Sequence, residues 1–345
     1  GIASKGPIEM NGNNVTVDSF NSAVTGPYSS STPRRSKGDV ASNATIRNAV
    51  DVGNANIYGH VSTGPNGTIY VGNNGAIGDV DWQSSHSGIQ DGWSDSTSNF
   101  TFPETSLPSD YASYATPTSG YVTNTTYVIN TNSVTVTILP SPIPTGTITN
   151  RIKINGDWVY LYTYPTYSSN AVTTVDYYDN ILVGGNNYQA SSLSGKTIVL
   201  PGSGSGVTLV LPNGLNMSGN DQFTIAQNAS ITVYSGGTSC NIGGNGVINQ
   251  AGYAQDFILY CAPTVKSFGL SGNGSFTGVF VGPSVDLSLN GGGNNTIDFV
   301  GALLVNSLTL NGHFNIHYDE ALGTLPSGGR FLATSWDEIP VASLP

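Results

Sequence analysis

Charge is the scarcest property of this chain: 9% of its 345 residues are Asp, Glu, Lys or Arg, against roughly 25% in a typical soluble domain. A dense Lys/Glu surface is therefore excluded, and Asn, Ser, Thr and Gly must face the water. The strong helix formers are few beside Val, Ile, Thr, Tyr and Asn, which excludes long helices and favours strands. No run of about 18 apolar residues occurs, so no membrane-spanning helix is expected. Ten Lys and Arg against 21 Asp and Glu leave a net charge of −11. Nucleic acid and anionic membrane both require clustered cations, so neither is expected as a partner. Gly1 is not an initiator methionine, so a processed start with a signal or anchor upstream is compatible with the sequence.

Cysteine is nearly absent too. Cys240 and Cys261 are the two present. A disulfide between them would suit an exported protein and would contribute roughly 3 kcal/mol through loop closure. Two buried free thiols are the alternative. Neither cysteine lies in a C-x-x-C motif or near a histidine in sequence, so a metal or redox pair is not indicated.

What is plentiful is glycine, 44 residues, with 38% hydrophobic residues, enough for a continuous core. From residue 193 to 325 an apolar strand repeatedly runs into a Gly/Asn turn: Leu215-Asn-Met-Ser-Gly-Asn220, Ile242-Gly-Gly-Asn245, Leu270-Ser-Gly-Asn273, Leu287 to Asn294, and Leu308-Thr-Leu-Asn-Gly-His313. The turn glycines Gly219, Gly244, Gly272, Gly292 and Gly312 are spaced 25, 28, 20 and 20 residues apart, the chain length of one coil of a β-solenoid. Gly and Asn suit such corners because they reach positive φ at least cost. Val207/Leu209/Leu211, Val285/Leu287/Leu289 and Leu308/Leu310 alternate with polar residues and predict one buried face. The runs Phe276–Val281 and Phe299–Val305 are continuously apolar, which predicts cover on both faces.

Residues 1–80 repeat the pattern, as in Ile8-Glu-Met-Asn-Gly12, and read as further coils of the same solenoid interrupted near 19–50 by a surface loop with Pro33, Arg34 and Arg35. Residues 81–192 change character, with many Pro, Tyr and Thr and the aromatic strand Trp158-Val-Tyr-Leu-Tyr-Thr-Tyr164. The fold expected is therefore all-β: a parallel β-helix in 1–80 and 193–325, a small inserted β-rich subdomain in 81–192, and a tail or strand in 326–345. On adjacent coils Cys240 and Cys261 lie about one period apart, which favours the bridge. Trp158, Tyr160, Tyr162 and Tyr164 form a candidate contact surface for glycans, with ordinary packing as the competing reading.

Gly1-Ile-Ala-Ser-Lys-Gly-Pro-Ile-Glu-Met-Asn-Gly12, Gly53-Asn-Ala-Asn-Ile-Tyr-Gly-His-Val-Ser-Thr-Gly64, Tyr188 to Lys196 and above all Leu310-Asn-Gly-His-Phe-Asn-Ile-His-Tyr-Asp-Glu-Ala-Leu322 resemble a group of bacterial surface proteins associated with pilus assembly, in which a pilin-like anchor precedes a repetitive β domain. The resemblance covers both ends and not the middle. It implies export and a cell-surface or appendage role, and it supplies no catalytic residues.

An enzyme on a β-helix would need convergent carboxylates or a Ca2+ site with a basic residue. Asp79, Asp81, Asp91, Asp286, Asp298, Glu9 and Lys266 are the candidates, and they show no pairing between coils; isolated acids at turns commonly form Asx-turns. The sharpest local group is His313, His317, Asp319 and Glu320. With Phe314, Ile316 and Tyr318 inward, the two histidines would share the outer face about 13 Å apart, too far to chelate one ion. His317 with Asp319 is the pair close enough to act together, and a hydrogen-bond cluster closing a terminal coil is the favoured reading over a metal or catalytic site. No cofactor is expected; structural Ca2+ is the one candidate. Sequons at Asn14, Asn43, Asn66, Asn99, Asn124, Asn216, Asn228, Asn273 and Asn294 either reflect composition or mark glycan acceptors of an exported chain.

Three functions follow. The first is a self-assembling surface-fibre subunit, a homopolymer joined head to tail or by strand exchange, because uncapped β-helix ends pair with further copies, with Ile2–Met10 and Phe331–Trp336 as candidate exchanged strands. The second is a monomeric adhesin or glycan-binding module, and the third a polysaccharide lyase or hydrolase.

Overall fold

The computed structural model describes residues 1–12, 15–136, 142–154, 157–270, 276–290 and 297–324. It is all-β, 51% strand and 7% helix, with a large parallel sheet. Two compact units divide the chain: Gly1–Gly120 with Tyr178–Pro345, and Tyr121–Tyr177. Of the stretch expected to form an insertion, 121–177 is thus a unit of its own, whereas 81–120 and 178–192 fall in the first unit.

In the first unit many strands pair in parallel with one about a period further along the chain. Val207–Leu211 pairs with Ile231–Ser235, which pairs with Phe257–Cys261, with register partners Val207↔Ile231 and Ile231↔Phe257. The ladder continues through 276–282 to 299–305, with Phe276↔Phe299 in register. A second ladder links Ser239–Ile242, Ser267–Leu270, 286–290 and 307–311. Lys196–Leu200, Gln222–Ile225 and Val247–Asn249 pair in a third row.

The N-terminal strands then extend the C-terminal ladders. Ile2–Ser4 pairs with 303–305 and Ile8–Met10 with 308–310, so the first strands of the chain lie directly on Ile297–Asn311. Phe314–Asp319 lies between 297–300 and Thr16–Phe20. From there the ladders run on through Val40–Ser42 and Val61–Ser62, through Val50–Gly53 and Ile69–Val71, and through Asn56–Tyr58 and Ala76–Gly78. Phe314–Asp319 is therefore flanked on both sides, which corrects the expectation of a terminal position for it.

Alternation does what the sequence requires of it. Val285, Leu287 and Leu289 are buried while Asp286 and Ser288 are exposed. The continuously apolar runs are covered on both faces: Phe276, Phe280, Phe299 and Leu303 join the main core, whereas Val279, Val281 and Ala302 pack with Ala254 and Leu322 in a second cluster. Ala254 and Leu322 belong to the short 3-10 turns Ala254–Asp256 and Glu320–Thr324.

Inside the main core the phenylalanines form a column. Ring centroids of Phe223 and Phe257 are 6.2 Å apart, Phe257 and Phe276 5.4 Å, and Phe276 and Phe299 4.5 Å, the last pair stacked. Such pairs add about 0.5–1.5 kcal/mol each beyond the area they bury.

Of the expected turn residues, Gly219, Gly244 and Gly312 have φ of +58°, +65° and +101°. At Gly244 a side chain would also meet the carbonyl oxygens of Asp221 and Gly219 at 2.9 and 3.0 Å. Gly12 is required for another reason, the close approach of two layers, since a Cβ there would collide with the Gly312 backbone. Gly272 and Gly292 lie outside the described residues. Asn side chains do bond from layer to layer, Asn241 Nδ2 to the Met217 carbonyl at 2.9 Å and Asn245 Nδ2 to that of Asn220 at 3.3 Å.

Removing a central ring tests the column. Phe276→Ala should cost about 3–5 kcal/mol, read as a lower denaturant midpoint with an unchanged slope; a loss below about 1 kcal/mol would show that the column does not support the core.

Candidate functional site

The densest group of charges in the first unit gathers where the N-terminal strands meet the C-terminal ones. Thr16–Phe20 contributes Asp18 and Ser19, and the segment that follows brings Ser22, Tyr28, Arg34, Arg35 and Lys37 over the same face. Phe314–Asp319 and its continuation bring His317, Asp319 and Glu320, and the neighbouring strand brings Asp298.

His317 is 2% exposed. Its Nδ1 lies 2.6 Å from Asp18 Oδ1, and since a carboxylate only accepts, Nδ1 is the donor. Nε2 is 3.6 Å from Asp298 Oδ1, too long for a hydrogen bond but close enough for charge attraction, and it has no other partner. Tyr28 stacks on the imidazole at 3.9 Å. Asp18 in turn accepts from Arg34 Nε at 2.7 Å, and the Arg34 guanidinium lies 4.3 Å from the centre of the Tyr58 ring.

Asp319 and Glu320 do separate work. Asp319 Oδ1 accepts from the backbone N–H of Ser22 at 3.0 Å and of Ala321 at 3.1 Å. Glu320 Oε1 accepts from Ser19 Oγ at 2.9 Å and Arg35 Nε at 2.8 Å, with Lys37 Nζ 3.8 Å from Oε2.

Three expectations are corrected here. His317 is not on an open outer face, because the 20–37 segment covers it. Its acidic partner is Asp18, 299 residues away in sequence, and not Asp319. Arg34 and Arg35, expected in a plain surface loop, are held by Asp18 and Glu320. His313 precedes the strand, is partly exposed and takes no part in this cluster.

The electrostatics follow from the geometry. Burial opposes charge on His317, but the Asp18 hydrogen bond and the nearby Asp298 carboxylate outweigh it and raise the imidazole above 6.5. Asp298 is held below its ordinary value, chiefly by His317 and also by the Asn315 amide. Burial, with Asp298 and Asp18 close by, pushes the Tyr28 hydroxyl up to about 12. When protonated, an imidazole between two carboxylates is a charge clamp, and its Nε2 faces Asp298 and does not line the cleft beside the cluster.

A cleft of about 740 Å3 borders the cluster, with Ile2, Trp93, Phe100, Leu304, Tyr318 and Glu320 among its walls, but His317, Asp18 and Asp298 do not line it.

The remaining sequence candidates are dispersed. Asp79 caps the short helix Val80–Gln83 by accepting from Trp82 N at 2.7 Å. Asp286 accepts from Asn306 and Ser307 on the next strand. Asp81, Asp91, Glu9 and Lys266 are exposed. Among the described residues no three His, Cys, Asp or Glu side chains converge on a point that could hold a metal ion.

Cys240 and Cys261 are both buried in the main core, with their thiols unbridged. They sit on different ladders, Cys240 in register with Phe268 and Cys261 with Ser235. The thiols nonetheless touch, and the Cys240 contact together with burial pushes the Cys261 thiol well above its ordinary value, keeping it protonated.

Of the sequons, Asn66, Asn99, Asn216 and Asn228 are exposed. Asn43 is partly buried, with its side chain bonded to Phe100 and Ser98. Asn14, Asn273 and Asn294, and the side chain of Asn124, lie outside the described residues.

In the second unit Ile148–Ile154 pairs antiparallel with the start of Asp157–Val183. Trp158, Tyr160, Tyr162 and Tyr164 alternate along the latter strand and so share one face. Trp158 and Tyr160 are 55% and 50% exposed, and the Tyr160 and Tyr162 rings lie near-parallel with centroids 6.5 Å apart.

What the fold defines is an all-β protein with a large parallel sheet and a buried charge clamp at the junction of its first and last strands. Over residues 166–325 the sequence matches a family model described as a domain of unknown function (DUF7305), a match that includes His317, Asp319 and Glu320 but not Asp18, Tyr28 or Arg34. No curated protein and no solved structure matches the chain.

The clamp sets a pH signature. A raised histidine stabilises fully below its unfolded value of 6.5 and ceases to do so as pH rises through the folded value; a depressed Asp298 stabilises above 3.8 and stops as pH falls through its lowered value. His317→Gln should therefore lower thermal stability most between those two values, by about 3 kcal/mol, with the difference from wild type shrinking as pH rises past 6.5. A difference that grows with pH above 6.5 would show that the imidazole is held neutral.

Proposed function

We propose that the first unit is a β-solenoid and that the chain is a self-assembling subunit of an extracellular surface filament. Support comes from the parallel ladders with steps near one turn period, from the uncharged Asn/Ser/Thr/Gly surface and from the resemblance of both chain ends to surface proteins associated with pilus assembly.

One observation carries it: Ile69–Val71 pairs with Val50–Gly53 on one side and, among the described residues, with no strand on the other. The Val50 N–H bonds to the Thr68 carbonyl at 3.4 Å. In a parallel ladder that places the Ile69 N–H and carbonyl on the outward side. Tyr70 beside them is 49% exposed. At the far end of the same sheet Asn187–Gln189 pairs with Val207–Leu211 and meets Ala115 only through an isolated bridge. The two edges lie on different ladders, and each offers a row of backbone groups to which a strand of another copy can add.

Ile69→Pro removes an outward N–H while leaving the inward bonds in place. Wild-type protein is expected to form filaments by negative-stain microscopy and to grow in mass with concentration by light scattering, whereas Ile69→Pro and Tyr70→Lys stay monomeric with cooperative unfolding. Wild type that remains monomeric at millimolar concentration, or variants that polymerise as well as wild type, would end this reading.

A further inference from the structure

Thirteen large hydrophobic side chains stand exposed among the described residues, and eight of them, Trp158 and Tyr160 included, lie in the second unit. The unit is thus rich in apolar surface that it does not bury. On one of its faces that surface is ordered and aromatic. Trp158, Tyr160, Tyr162 and Tyr164 succeed one another at two-residue spacing, and the register sets Lys153 opposite Trp158 and Arg151 opposite Tyr160. The Arg151 guanidinium lies 4.5 Å and Lys153 Nζ 5.8 Å from the centre of the Trp158 ring. Both cations are exposed.

The charges around this face are unlike those of the rest of the chain. Within Tyr121–Tyr177 the cations Arg151 and Lys153 are balanced by Asp157 and Asp176, so the unit is neutral and the whole net charge of −11 belongs to the remainder. Two of ten cations are placed beside an exposed aromatic row.

We propose that this face binds an acidic polysaccharide, its sugar rings lying against Trp158 and Tyr160 and its carboxylates paired with Arg151 and Lys153. Flat aromatic rings supply rigid apolar area at little entropic cost. A guanidinium and an ammonium beside them supply charge-assisted hydrogen bonds to carboxylate oxygens. Single-stranded nucleic acid also stacks on aromatic rows, but it is held by many cations lining a groove along its backbone, whereas this face offers two cations beside an open aromatic row. The face is built within one copy of the chain, so this binding does not require assembly.

The test is retention of the full-length protein in affinity electrophoresis through gels containing polygalacturonate, dextran or no polymer, with a single-stranded oligothymidylate measured in parallel. Wild type should be retarded by polygalacturonate and not by dextran. Trp158→Ala and Tyr160→Ala should each weaken that binding at least about tenfold. Arg151→Gln/Lys153→Gln should abolish its salt sensitivity and most of its affinity, with thermal unfolding unchanged in all three because the altered side chains are exposed. No retardation by polygalacturonate, equal retardation of the aromatic variants, binding to dextran unaffected by loss of the cations, or tighter binding to the oligothymidylate than to polygalacturonate would each overturn the proposal.

Discussion

The structure depends on one junction, the parallel pairing of the first strands of the chain with the last described ones. Ile2–Ser4 and Ile8–Met10 lie along Ile297–Asn311, and Thr16–Phe20 lies along Phe314–Asp319. Every ladder of the N-terminal part reaches the C-terminal ladders through these contacts. Pairing of this kind has a high kinetic barrier, because a loop of nearly 300 residues must close before any bond rewards it. The C-terminal ladders, built from steps of about one period, face no such barrier, and they are the natural template on which the N-terminal strands settle.

Much of the fold was legible because its determinants are local. Alternation in Val285, Leu287 and Leu289 and the turn residues Gly219, Gly244 and Gly312 are fixed by side-chain geometry within a few residues, so composition and spacing reveal them. The continuous apolar runs at 276–281 and 299–305 required cover on a second face, and Ala254 and Leu322 supply it. The column of Phe223, Phe257, Phe276 and Phe299 was equally present in the sequence, but its spacing is irregular and only the register reveals the stacking.

The candidate site was legible in part, for a physical reason. His317, Asp319 and Glu320 announce themselves as a polar cluster at the end of an apolar strand. Their partners Asp18, Ser19, Ser22 and Arg35 are about 300 residues away, and no local pattern marks the pairing. A strand read alone exposes alternate side chains, which assigns His317 to an open face; the covering segment with Tyr28 comes from the other end of the chain. The cysteines show the same limit: a separation near one period does not say which ladder a residue joins, and Cys240 and Cys261 occupy different ladders with their thiols in contact.

A chain so poor in charge places three of its ten cations, Arg34, Arg35 and Lys37, at this junction. Buried ion pairs are weak contributors to net stability, since desolvation consumes most of the Coulomb gain. Their value lies in discrimination. Layers built from Val, Ile and Leu are nearly interchangeable, and an apolar N-terminal strand would gain similar energy on any free parallel edge, shifted by a layer or belonging to another copy. Only the register Asp18↔His317 brings the carboxylate to the imidazole and Ser19 and Arg35 to Glu320. Any other would deprive buried His317 of Asp18, Asp319 of the Ser22 N–H and Glu320 of Ser19 and Arg35, at several kcal/mol in all. The clamp therefore acts by penalising alternatives: it ties the first strands of the chain to their own C-terminal edge.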